Sequence, residues 1–137
     1  MIEAIRDTRE DAREPGAAPT ALLVEDEPLV AMLTEETLRD LGFEPIWAES
    51  AGAALDMLKR EPGLVLAVID VGLPDMRGDD LARTIRREHP RLGIIVASGH
   101  DEIRLRTQFD GDPRTVVLGK PYRTGDLANC AGAVTAG

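Results

Sequence analysis

The feature that most limits the fold is a set of short apolar runs rich in Val, Ile and Leu: Ala21–Val24, Leu64–Ile69, Gly93–Ala97 and Thr115–Leu118. They are apolar at nearly every position rather than at alternate ones, which predicts strands buried on both faces, the environment of a parallel sheet. Phe43–Trp47 predicts a further strand, confined to an edge by Pro45. Parallel strands need crossover connections, and helical periodicities fill the gaps. Val30, Leu33, Thr37 and Leu41 recur before Gly42, and Ala51, Ala54, Leu55 and Leu58 before Pro62-Gly63. A third helix is predicted to end at His89, broken by Pro90, and Leu127, Cys130, Ala131 and Val134 trace a last one. Between Ser98 and Arg114 the chain is strongly polar, so a fourth helix there is predicted to be weakly held by Ile103, Leu105 and Phe109. Strands alternating with helices specify an α/β fold, a doubly wound five-stranded parallel sheet with helices on both faces and right-handed crossovers.

Bulk properties exclude several function classes. With 137 residues, 43% hydrophobic and 30% charged, the chain suits one folded domain with an aliphatic core. A net charge of −9 and only 3% aromatic residues argue against nucleic acid, which needs a basic face or stacking platforms. The same charge argues against an anionic membrane surface. Residues 1–20 are charged, lack an apolar leader core and end in the linker-like Pro15-Gly16-Ala17-Ala18-Pro19. They are expected to be a flexible or helical extension outside a domain spanning 21–137. The lone Cys130 reads as a packed core thiol, and the cytoplasm is the expected compartment.

The chemistry lies where the runs end. Glu25-Asp26, Asp70, Ser98 and Lys120 each follow a predicted strand, and carboxyl ends of parallel strands meet in one crevice. Singly, these residues read as helix N-terminal charges and turn dipeptides. Jointly, they assemble three carboxylates, a hydroxyl and an amine. Clustered carboxylates repel one another unless a cation neutralises them, and Mg2+ favours a few carboxylates with water and phosphate oxygens. Asp26 and Asp70 are the expected direct ligands, with Glu25 direct or through water and the Gly72 backbone carbonyl adding another oxygen. Asp70, ending the most apolar run, is the expected nucleophile for a phosphoryl group, with Lys120 and Ser98 binding the phosphoryl oxygens.

Leu22-Leu23-Val24-Glu25-Asp26-Glu27, the loop Val68-Ile69-Asp70-Val71-Gly72-Leu73-Pro74-Asp75-Met76-Arg77-Gly78, Ala97-Ser98 and Lys120-Pro121-Tyr122 together resemble the response-regulator receiver domain of two-component signalling. The similarity covers about Ala21 to Val134. It implies a flavodoxin-like, receiver-type fold, Asp70 as phosphoacceptor, Glu25 and Asp26 as Mg2+-site acids, and Ser98 and Lys120 as phosphoryl sensors. The implied donor is a histidine kinase or phosphotransfer protein, and the implied output is contact with a downstream protein by a monomer or weak dimer. Such a domain promotes its own phosphorylation and dephosphorylation and is not a turnover enzyme.

One position departs from the family pattern. Most receivers carry Tyr or Phe three residues before the lysine, where this chain has Val117. With Ala97-Ser98-Gly99 and the polar fourth-helix region, this is similar to an atypical subgroup of single-domain and hybrid-kinase receivers. Ordering of the loop Gly99–Arg114 is the expected substitute for an aromatic relay. His100 is expected to be an exposed loop histidine, and Gly72 to leave the phosphoryl group open to water. Two other classes compete: a pseudo-receiver that binds partners without phosphorylation, and an Asp-nucleophile phosphohydrolase. The second wants its Asp on the first strand with another acid two residues on, whereas Gly72 holds that offset after Asp70. Without a Gly-rich phosphate loop after any strand, a nucleotide-binding fold ranks last.

Overall fold

The computed structural model describes residues 18–136. The expectation for the N-terminal extension lies almost wholly outside them. Five strands and five helices alternate: β1 (Thr20–Val24), α1 (Pro28–Asp40), β2 (Glu44–Ala48), α2 (Ala51–Arg60), β3 (Leu64–Asp70), α3 (Gly78–Glu88), β4 (Gly93–Ser98), α4 (Glu102–Gln108), β5 (Thr115–Gly119) and α5 (Thr124–Thr135). All strand pairs are parallel, in the order β2-β1-β3-β4-β5. The most apolar run is therefore the central strand and the Pro45 strand is an edge, as its sequence predicts.

Alternate residues of each strand feed two aliphatic cores. Leu22, Val24, Ala67, Ile69, Ile94, Val96 and Val117 pack with Ala54, Leu81, Ile85 and Leu105 of α2, α3 and α4. On the other face Ala21, Leu23, Leu66, Val68, Ile95 and Leu118 pack with Leu38 of α1 and Leu127, Ala131 and Val134 of α5. Each fully buried Leu or Ile contributes about 1.5–3 kcal/mol over its exposed state.

Helix α1 corrects one expectation. Its buried residues are Ala31, Thr34 and Leu38, with Leu41 half-buried, so the face is turned from the expected Val30, Leu33, Thr37, Leu41 stripe. Small Ala31 and Thr34 let the helix lie close to the sheet, and Thr34 returns its hydroxyl to the Val30 carbonyl at 3.0 Å. Leu29, Met32 and Leu33 are left exposed on the same helix. Gly42 closes α1 at φ +98°, a conformation with a steric cost for any side chain. Helix α4 is short and buries only Leu105, with Phe109 half-buried against the core; Ile103 is 81% exposed and anchors nothing. Cys130 is half-buried at the edge of the second core rather than inside it, and burial raises its thiol pKa.

At the pole where the strands begin, Arg86 gathers the chain. Its guanidinium donates to Asp112 (3.0 Å), to the carbonyls of His89 (2.9 Å), Leu92 (2.7 Å) and Arg114 (3.0 Å), and to the Thr115 hydroxyl (2.8 Å). Burial opposes the Asp112 charge, but the Thr115 hydroxyl, the Arg114 N–H and Arg86 hold its pKa below the ordinary aspartate value. Arg86→Ala is expected to lower stability towards urea by about 2–4 kcal/mol, because three carbonyls and a carboxylate lose their donor. An unchanged unfolding midpoint would refute that role. A depressed carboxyl pKa stabilises above the unfolded value, and the contribution fades as pH falls through the folded one. The deficit of Asp112→Asn should therefore shrink on acidification, measured by thermal melts against pH.

Candidate functional site

The strand order reverses between β1 and β3, the switch point at which open α/β sheets bind ligands beyond their carboxyl ends. Glu25 and Asp26 leave the end of β1, and Asp70 ends β3 beside them. One carboxylate oxygen from each lies within 4.8 Å of the others. Glu25 is buried, Asp26 exposed and Asp70 half-buried, so the cluster is rooted in the protein and open on one side.

Glu25 and Asp70 are oriented by backbone. Glu25 accepts the Glu27 N–H at 3.2 Å, and its own N–H donates to the Ala48 carbonyl at 3.0 Å. The Glu25 carbonyl accepts the indole N–H of Trp47 at 2.7 Å. Asp70 accepts the Gly72 N–H at 3.1 Å through Oδ2, while Oδ1 takes a direct hydrogen bond from Lys120. The Lys120 ammonium also stands 3.9 Å from Glu25. Burial, and then the neighbouring Asp70 charge, push the Glu25 pKa above the ordinary glutamate value, although the Glu27 N–H and Lys120 work the other way. For Lys120 burial opposes the charge, but the hydrogen bond to Asp70 and the charges of Asp70 and Glu25 outweigh it and raise the pKa.

Ser98 ends β4, buried, and reaches the same pole. Its hydroxyl is engaged locally: it donates to the His100 carbonyl and accepts the His100 N–H at 3.1 Å. The Lys120 N–H donates to the Ser98 carbonyl at 2.8 Å, and a cis Lys120-Pro121 peptide follows. His100 is exposed, as expected, and Val117 is buried in the first core.

The loop after Asp70 is held by contacts that motif reading does not reveal. Asp75 accepts the N–H groups of Ala51 (3.0 Å) and Gly52 (2.9 Å), capping α2 from the loop, and these bonds lower its pKa. Gly72 pairs with Arg77 in an isolated antiparallel bridge. The Gly78 N–H donates to the Val71 carbonyl at 2.9 Å, and a Cβ on Gly78 would sit 2.2 Å from the Asp70 carbonyl oxygen. No other residue type fits there without moving the Asp70 backbone. The sequence signal was the Pro74-to-Gly78 spacing, which marks a turn without saying what it rests against.

The structure thus gathers a carboxylate trio and a lysine at the switch point of an open parallel sheet. Comparison with known proteins narrows the class. Residues 21–131 match the family model for the response regulator receiver domain, and the chain belongs to that family. That family supplies the receiver domains of response regulators, and relatives carrying such domains support a two-component signalling role. The chain is 33% identical to the sensor kinase CckA of Brucella abortus over 87% of its own length, though it spans only 13% of that kinase. It is 29% identical to the receiver protein CpdR of Brucella abortus, covering 79% of this chain and 89% of CpdR. A response regulator receiver protein from Sinorhizobium medicae superposes with a TM-score of 0.76 at 28% identity, covering 86% of this chain and 94% of that one. Among the described residues no helix is long and apolar enough to cross a membrane.

The raised Glu25 pKa carries a stability consequence. The folded state binds this proton more tightly, so stability falls as pH rises from the ordinary glutamate value to the raised one. Glu25→Gln keeps an acceptor for Glu27 and removes the buried charge. It is expected to melt higher than the wild type at neutral pH and to lose that advantage in acid. A variant that melts lower at neutral pH would mean that pairing with Lys120 outweighs burial and repulsion.

Proposed function

We propose that Asp70 is the phosphoacceptor and that the acid trio with Lys120 is the machinery that loads it. The observation carrying this reading is that one half-buried carboxylate is shared by an ammonium and two further acids at the mouth of the sheet. Glu25, Asp26, Asp70 and the Gly72 carbonyl would hold Mg2+, an all-oxygen donor set suited to a small hard cation. When bound, Mg2+ supplies positive charge against the oxygens of the transferring phosphoryl group. The Asp70 carboxylate attacks the phosphorus of a phosphohistidine on a histidine kinase or phosphotransfer protein. A P–O bond forms as the P–N bond breaks, and the bonding pair returns to the imidazole nitrogen. Lys120 then shifts from the carboxylate to a phosphoryl oxygen, and the Ser98 hydroxyl donates to another after leaving the His100 carbonyl. Both are short moves for groups already at the site.

The donor must reach Asp70 from the open side, past the start of α1. Leu29, Met32 and Leu33 are exposed on that helix directly after Glu27-Pro28. Such a patch beside the acceptor suits the helical surface of a phosphohistidine donor. Output is contact with a downstream protein.

Acetyl phosphate with Mg2+, read by intact mass, tests the acceptor. One base-labile phosphoryl adduct is expected, absent in Asp70→Asn, in Asp26→Ala and after chelation of the metal. Adduct in Asp70→Asn would move the acceptor elsewhere. Replacing Leu29 and Met32 by Glu should leave this labelling intact and slow transfer from a phosphorylated histidine-kinase core; equal transfer rates would remove α1 as the docking face.

A further inference from the structure

Asp79 is a nearly buried carboxylate, 3% exposed, that the phosphoryl chemistry leaves unused. It lies in the first turn of α3, where the helix dipole favours an acid, yet burial of such a group needs partners as well. Two side chains supply them: Arg77 Nε donates to Oδ1 at 3.0 Å, and Gln108 Nε2 donates to Oδ2 at 3.4 Å. Gln108 is the last residue of α4. Its carbonyl oxygen accepts from Arg104 at 3.5 Å, which turns the amide N–H towards Asp79.

The two ends of α4 are held by different kinds of contact. At the C-terminal end, Leu105 and Phe109 pack on the first core beside the Gln108–Asp79 contact. At the N-terminal end, the two-way bond between Ser98 and His100 is joined by the Glu102 carboxyl lying against Gly119 and by Arg106, which donates to the Val117 carbonyl at 3.4 Å; Asp101 sits in the left-handed region at φ +61°, and Ile103 is exposed. Each end leads back to the acceptor. Ser98 lies at the phosphoryl pole, and Asp79 follows Gly78, which is pressed against the Asp70 carbonyl.

We infer that Asp79 is a positioning residue that pins the C-terminal end of α4 to the Asp70 loop, so that release of His100 by Ser98 swings the N-terminal end of α4 about that pin. This rests on the phosphoacceptor reading and deepens it: buried Val117 leaves no aromatic side chain to carry the signal, and α4 itself becomes the moving part. The Gln108–Asp79 contact decides where the motion stops. Residues 99–106 change, and residues 107–111 stay fixed.

Hydrogen exchange by mass spectrometry tests the pin, with adduct occupancy measured on the same samples. Gln108→Ala is a half-buried, helix-compatible change, and Asp79→Asn is the conservative companion that keeps an oxygen facing Gln108. In resting protein, Gln108→Ala is expected to speed exchange over residues 107–111 by roughly fivefold while the strand amides stay protected, and Asp79→Asn should do so much less. With acetyl phosphate and Mg2+, the wild-type response should be confined to residues 99–106, whereas in Gln108→Ala it should spread through residue 111 at equal occupancy. Unchanged resting exchange in Gln108→Ala, or a response of the same extent in both proteins, would overturn the inference. Should the wild type take up no phosphoryl group, the acceptor reading fails by itself, and resting exchange alone decides whether the pin exists.

Discussion

Three carboxylates within a few ångströms of one another would separate if the chain allowed it, and the chain does not. Glu25 and Asp26 leave β1, and Asp70 ends β3, neighbouring strands of a sheet whose register leaves little freedom at their tips. Electrostatic repulsion is therefore stored at the switch point, with Lys120 as the only ammonium placed against it among the described ion pairs. Positive charge placed at such a site would relieve that repulsion. Burial first, and then the Asp70 charge, raises the Glu25 pKa, while for Lys120 the bond to Asp70 and the charges of Asp70 and Glu25 outweigh burial.

The molecule divides its work between its poles. Where the strands end, polar groups are packed for chemistry, at some cost to stability. Where they begin, Arg86 and Asp112 tie α3, β4 and β5 together through hydrogen bonds that have no partner in the chemistry. Between the poles lie two aliphatic cores of Leu, Ile, Val and Ala, with the aromatic rings only at their margins. Rigidity of the sheet lets a charge change at one end act on helices and loops rather than on strands.

Much of this could be read from residue order alone, for physical reasons that vary by element. Leu64–Ile69 and Gly93–Ala97 have one plausible environment, a sheet covered on both faces, and from this follow the parallel topology and the convergence of Glu25, Asp26, Asp70, Ser98 and Lys120 at one pole. Helix faces were harder. In α1 the large Leu29, Met32 and Leu33 face outward while Ala31 and Thr34 face inward with Leu38, so hydrophobicity alone misleads where close approach to the sheet decides. Ile103 misled in the same way. Long-range polar partners were illegible, because nothing local marks Asp75 as the cap of a helix far along the chain, Asp79 as the partner of Gln108, or Arg86 as the collector of three carbonyls. Contacts of this kind exist only after folding.

The bond from Trp47 to the Glu25 carbonyl has a practical side. This is the sole tryptophan of the chain, and its indole N–H is fastened at 2.7 Å to the backbone of a site acid. Indole emission depends on the local electric field, and the carbonyl that holds this ring belongs to a member of the acid trio. The chain thus carries a native fluorophore at its charge centre, and loading of that centre can be followed in real time by intrinsic emission, without a label.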